Sequence, residues 1–191
     1  MFNNLEFNDM ETTKRNERRL KLVILLFCVL FLLGAYVCNG QNDSIQKIEK
    51  LAAKKFCDLL NRHRIRQGLS PIKVCDTLCL VAKNHNDWLI GNNSQMTHYE
   101  TPNTDFFSGV TPSDRGEALG LEYGLAEVIT YVYSKGKTID EISDNLAKSA
   151  FENWNMSMKG HHQIIFGKQD KQGVSFKNGW ATAVFMRRSY Y

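Results

Sequence analysis

The chain lacks the features that would place it at once in several large functional classes. Charge is nearly balanced, with 24 Lys and Arg against 20 Asp and Glu in 191 residues. Beyond residue 40 the counts are 19 and 16, a net +3, which is no electrostatic footprint for nucleic acid. HExxH and GxSxG are both absent, so zincins and α/β-hydrolases lack their defining spacing. Ser113 or Ser157 could be set beside a histidine on paper, yet nothing supplies an ordered Ser-His-acid relay. There is no internal repeat and no low-complexity segment. Cysteine is sparse and odd in number: Cys28 and Cys38 lie in the N-terminal segment, leaving Cys57, Cys75 and Cys79. In an oxidising compartment these allow one bridge, from Cys57 to Cys75 or Cys79, with one thiol left over. Three buried unpaired thiols are the equal alternative, since cysteine is often simply core. Cys75-x-x-x-Cys79 has no second ligand pair beside it and does not read as a zinc site.

What is present begins with one uncharged apolar run, Leu22 to Val37, preceded by Lys14, Arg15, Arg18, Arg19 and Lys21. Sixteen residues fall short of the roughly 20 needed to span a bilayer as a helix. The order of basic, apolar and then polar residues reads as a secretory signal, with Cys38 and Gly40 small enough for the cleavage site and a mature chain starting at Gln41. Translation from Met10 would give a more ordinary signal length. The rival reading is an uncleaved signal anchor with its basic end in the cytoplasm. Either way residues 1–40 are a targeting segment and residues 41–191 are expected to form one extracytoplasmic domain, large enough for its own core.

Within that domain the apolar periodicity predicts a helix carrying Ile45, Ile48, Ala52, Phe56, Leu59 and Leu60, opened by a capping-box-like Asp43-x-x-Gln46 and closed by Gly68 and Pro71. A second helix is expected from about Asp76 to Ile90, with His85 on its apolar side as a satisfied core histidine. A polar loop carries His98, and Thr111-Pro112-Ser113-Asp114 opens a short helix. Leu125 to Tyr133 is either extended or a buried helix. Thr138-x-x-Glu141 caps a further helix reaching about Trp154. Asn178-Gly179 between Gly173–Lys177 and Trp180–Met186 predicts a two-residue hairpin. Helices outside a terminal antiparallel hairpin imply an α+β or three-layer α/β/α domain.

Two separated histidine motifs, Met96-Thr97-His98 and Gly160-His161-His162, stand on either side of a lone Glu127, and only the fold can bring them together. Leu60-Asn61-x-x-Arg64 with Gly68-Leu69-Ser70-Pro71-Ile72, then Ala82, His85 and Trp88, then Met96-x-His98, Thr111-Pro112-x-Asp114-Arg115, Ala126-Glu127-Val128-Ile129, and Trp154 followed by Gly160-His161-His162-x-x-Ile165 resemble, in order and spacing, the CAP superfamily, or SCP domains, in its bacterial form. The match runs from about Ile48 to Arg187.

That resemblance implies an α/β fold, a three-layer α-β-α sandwich around a mainly antiparallel sheet. It places His98, Glu127 and His161 in one cleft, with His162 and Trp154 associated with it. Two imidazoles and a carboxylate are a sufficient ligand set for Zn²⁺ or another divalent ion, the one cofactor anticipated. The other reading has the histidines joined through water and oriented by Glu127. The chain departs from the family where His162 replaces an Arg and where Ser157 takes the place of a second cleft glutamate. The function expected first is a secreted or surface binding module for a small or lipid-like ligand. A metal-dependent hydrolase of peptide or ester bonds, and an interaction protein with a vestigial cleft, are the alternatives. No nucleic-acid partner is expected, and membrane contact only through the N-terminal segment if it is retained.

Overall fold

The computed structural model describes residues 21, 25–26, 43–122, 124–158 and 160–187. The chain divides into two compact units, Met1–Ile45 and Gln46–Tyr191. Residues 1–40, expected to be a targeting segment, lie almost wholly outside the described residues, among which no helix is long and apolar enough to cross a membrane.

Helix α1 occupies residues 43–66. It is followed by β1 (Lys73–Val74), α2 (Asp76–Gly91), α3 (Pro112–Glu117), β2 (Leu125–Tyr131), α4 (Ile139–Asn155), α5 (His161–Ile165), β3 (Lys171–Lys177) and β4 (Trp180–Met186). The strands form one sheet in the order β1-β3-β4-β2, with β1 parallel to β3 and the other two pairings antiparallel.

Strand alternation sorts the side chains into two cores. Val128, Ala181, Ala183 and Phe185 face Phe56 and Leu60 of α1 and Phe151 and Trp154 of α4. Val184 and Met186 turn the other way onto Leu78, Val81 and Ala82 of α2, as Ile129 does onto Trp88 and Leu89. The result is the three-layer sandwich with a mainly antiparallel sheet.

Several sequence expectations are met residue by residue. Asn178 and Gly179 make the hairpin turn with φ of 46° and 85°, the two left-handed residues that a tight hairpin requires. Thr111–Asp114 and Thr138–Glu141 are both complete capping boxes. The ambiguous segment is the strand β2, whose β-branched residues fit between two covering layers.

Other expectations are corrected. Asp43 is already helical, so α1 does not begin there with a capping box. Ile45 is exposed rather than in the core. His63 on α1 is half-buried, with its ring centre 4.5 Å from that of Phe151. β1 and α5 have no counterpart in the sequence reading. Cys57, Cys75 and Cys79 are all free thiols, Cys57 buried and the other two half-buried. Burial pushes the Cys57 thiol up to about 12, with the neighbouring Cys79 adding to the shift.

Candidate functional site

The site is assembled from five pieces of the chain. His85 comes from α2, His98 and Glu100 from the loop after it, Arg115 from α3, Glu127 from β2 and His161 from the first turn of α5. Helix α3 forms in only six residues because Pro112 starts it and the Thr111–Asp114 box satisfies its first amides. Its short length is enough to drive Arg115 inward, where 1% of the residue remains exposed.

Arg115 is the hub. Its Nη2 donates to Glu127 Oε2 at 2.6 Å, its Nη1 donates to the His98 carbonyl at 3.2 Å, and its Nε stands 3.6 Å from Glu100 Oε1. Glu127 Oε1 lies 2.9 Å from His98 Nδ1. Glu100 accepts from the Ser108 amide at 2.7 Å and pairs with His85 Nδ1 at 2.9 Å. His85 Nε2 faces the Thr97 carbonyl at 2.9 Å. Because both of its partners are acceptors, both bonds form only when His85 carries a proton on each nitrogen or Glu100 carries one. His85 is thus the core histidine the sequence suggested, but it is also part of this charge network.

Burial drives the Glu127 carboxyl up, yet the His98 hydrogen bond and the Arg115 and His85 charges outweigh it and hold Glu127 below the ordinary carboxylate range. An ionised carboxylate only accepts. His98 therefore donates from Nδ1, and 40% of its side chain is exposed. The His161 ring centre lies 6.2 Å from that of His98, the planes at 76°.

The fold thus gathers His98, Glu127 and His161, the set the family resemblance suggested for a divalent ion. Glu127 enters that set with both oxygens engaged, one by His98 and one by Arg115. Among the described residues no three His, Cys, Asp or Glu side chains are spaced to hold one ion. As arranged, the donors do not fit a tetrahedral divalent site with a carboxylate arm, so no chemical step is drawn through one.

The remaining candidates lie elsewhere. His162 Nδ1 is 3.1 Å from the carbonyl and side-chain oxygens of Asn155, and its ring packs on Phe166. Trp154 is wholly buried, edge-on to Phe56, a core residue rather than a cleft wall. Ser113 Oγ accepts the Leu125 amide at 3.0 Å, tying α3 to β2.

Arg115 and Glu100 were missed as site residues. Arg115 was visible only as part of a motif, and no periodicity marks a buried acid in an irregular loop.

A sequence profile of the cysteine-rich secretory protein family, CAP, matches residues 57–186. Among solved structures, an extracellular protein containing an SCP domain from Bacillus anthracis superposes with a TM-score of 0.61 at 22% identity, over 76% of this chain and 43% of its own. An outer surface protein of Borrelia burgdorferi gives 0.54 at 19%, over 72% of this chain and 93% of its own. A cysteine-rich secretory protein of Staphylococcus aureus gives 0.53 at 15%, over 73% and 40%. The chain thus spans less than half of the Bacillus and Staphylococcus proteins, and at these identities the likeness is one of fold. No curated protein matches the chain by sequence.

Proposed function

This chain belongs to the CAP, or cysteine-rich secretory protein, family, and we propose that it is an extracytoplasmic binding module whose cleft takes a small lipid-like ligand. The observation that carries this reading is the setting of His98. Glu127 holds the ring through Nδ1 and 40% of the side chain is exposed, while its sequence neighbours Met96 and Tyr99 are 52% and 63% exposed. A fixed polar anchor beside apolar surface suits a ligand with a polar head and an apolar body. The closing strand supplies no apolar ligand surface, because Ala181 to Phe185 are buried in the core. The basic-then-apolar segment before residue 41 supports export.

The hydrolase reading gains nothing from this geometry, since Glu127 is committed to Arg115 and Ser113 to a backbone amide. Organic extraction of the purified protein and of His98→Ala, with mass spectrometry of the extract and a fluorescent fatty-acid titration, tests the proposal. Retained or bindable lipid in the wild type, reduced in the variant, is expected. No lipid in either would leave the interaction-protein reading in its place.

A further inference from the structure

Strand β2 lies at one edge of the sheet, and its last residue opens an exposed aromatic cluster. Tyr131 and Trp180 are cross-strand partners, with ring centres 5.3 Å apart and planes at 88°. Tyr133 adds a third ring, 5.3 Å from that of Tyr131 and at 72° to it. Tyr131 and Tyr133 are 41% and 74% exposed, and Trp180 is half-buried. The cluster rests on fixed supports. Trp180 packs on the buried Trp88, Leu89 and Ile129. The Tyr131 ring lies against Gly179, where an added Cβ would stand 2.5 Å from its Cζ. Among the described residues, no hydrogen bond uses either phenol hydroxyl or the Trp180 indole N–H.

The charge beside these rings is positive. Residues 131–137 contain Lys135 and Lys137 and no acid, and all but Val132 are exposed. Among the described residues neither lysine has an acidic partner. The acids that border the segment are engaged elsewhere. Glu141 accepts the Lys137 and Thr138 amides, Glu49 accepts the Asn178 amide, and Asp140 pairs with Lys55 at 2.7 Å. Charge complementarity therefore asks for a partner with anionic groups outside and apolar matter beneath them. Rings crossed at these angles offer edges and polar tips rather than one flat face on which a sugar would stack. Tyr and Trp side chains settle at the boundary between headgroups and acyl chains, and lysines beside them are drawn to anionic lipids.

We infer that Tyr131, Tyr133 and Trp180, with Lys135 and Lys137, form a docking surface for an anionic lipid bilayer. This membrane contact is separate from the N-terminal segment, and it does not depend on the cleft taking a lipid.

Trp180 serves as the reporter, since the chain has three tryptophans and Trp88 and Trp154 are 3% and 0% exposed. The full-length chain is transferred from detergent to vesicles of phosphatidylcholine, alone or mixed with phosphatidylglycerol, with brominated acyl chains that quench tryptophan. Quenching should be at least about threefold greater on the anionic vesicles and should fall at high salt. A lysine at an anionic surface strengthens binding about fivefold, so K135E/K137E should weaken docking by at least about 25-fold. Y131S/Y133S should quench no more than on neutral vesicles while circular dichroism stays native, and W180F should not quench at all. Organic extraction before the transfer separates this surface from the cleft. Y131S/Y133S should retain any cleft lipid, and docking by a wild type that retains none would count against the cleft reading alone. Equal quenching on neutral and anionic vesicles, or quenching that survives in K135E/K137E or W180F, would overturn the assignment. So would shielding of Trp180 by dextran sulfate but not by vesicles, which would give the surface to an anionic polysaccharide.

Discussion

Arg115 is an arginine almost without solvent contact between two acids, Glu127 at 2.6 Å and Glu100 at 3.6 Å. Removing it leaves two buried carboxylates with one fewer positive partner, and breaking a buried pair in this way costs about 3–5 kcal/mol. Arg115→Met should therefore lower unfolding stability in urea by that amount, a loss that an exposed arginine such as Arg62 would not show. Acid should act on the same cluster. The folded Glu127 carboxyl is held below its unfolded value of about 4.3. Its stabilisation is complete above that pH and is lost as pH falls through the folded value. Urea midpoints should hold above about pH 5 and fall progressively below about 4.3, and Glu127→Gln should show a shallower decline. Of this cluster the sequence displayed Glu127 and His98 through their motifs. It hid Glu100, which sits in a loop with no period to betray its burial.

At the scale of elements, the placement of His85 depends on how closely α2 rides on β3. A Cβ added at Gly173 would stand 2.0 Å from the Leu78 carbonyl carbon and 2.1 Å from the Cys79 nitrogen, both backbone atoms. Backbone cannot turn aside as a side-chain tip can, so Gly173→Ala must push α2 off the sheet. A loss of about 3 kcal/mol is expected in chemical denaturation, with shifted NMR signals for the His85 and His98 rings. Elements marked by local chemistry were legible. Two capping boxes and an Asn-Gly turn name their own positions, because a cap or a left-handed residue depends only on near neighbours. Elements too short for a period were not. β1 has two residues, and α5 has five, with Gly160 at φ 91° as its N-cap and no side chain capping it.

For the molecule as a whole, export is the property open to the most direct check. The protein recovered outside the cytoplasm should begin at Gln41, which intact mass and N-terminal sequencing would establish. A membrane-bound species retaining residues 1–40 would show instead that the segment serves as an anchor. The family could be read from the order and spacing of short motifs, and the three-layer arrangement followed from it, because apolar periodicity and turn chemistry are written locally along the chain. The partner of Glu127 was not written there. Whether that carboxylate meets an ion or a guanidinium depends on a helix twelve residues away in sequence folding Arg115 inward, and on the loop before that helix bringing His98 to its other oxygen. Sequence by itself determined the longer elements and, through their motifs, His98, Glu127 and His161. Only the tertiary structure decided their pairing, because charge pairing in a buried site is fixed by proximity in space, which has no period along the chain.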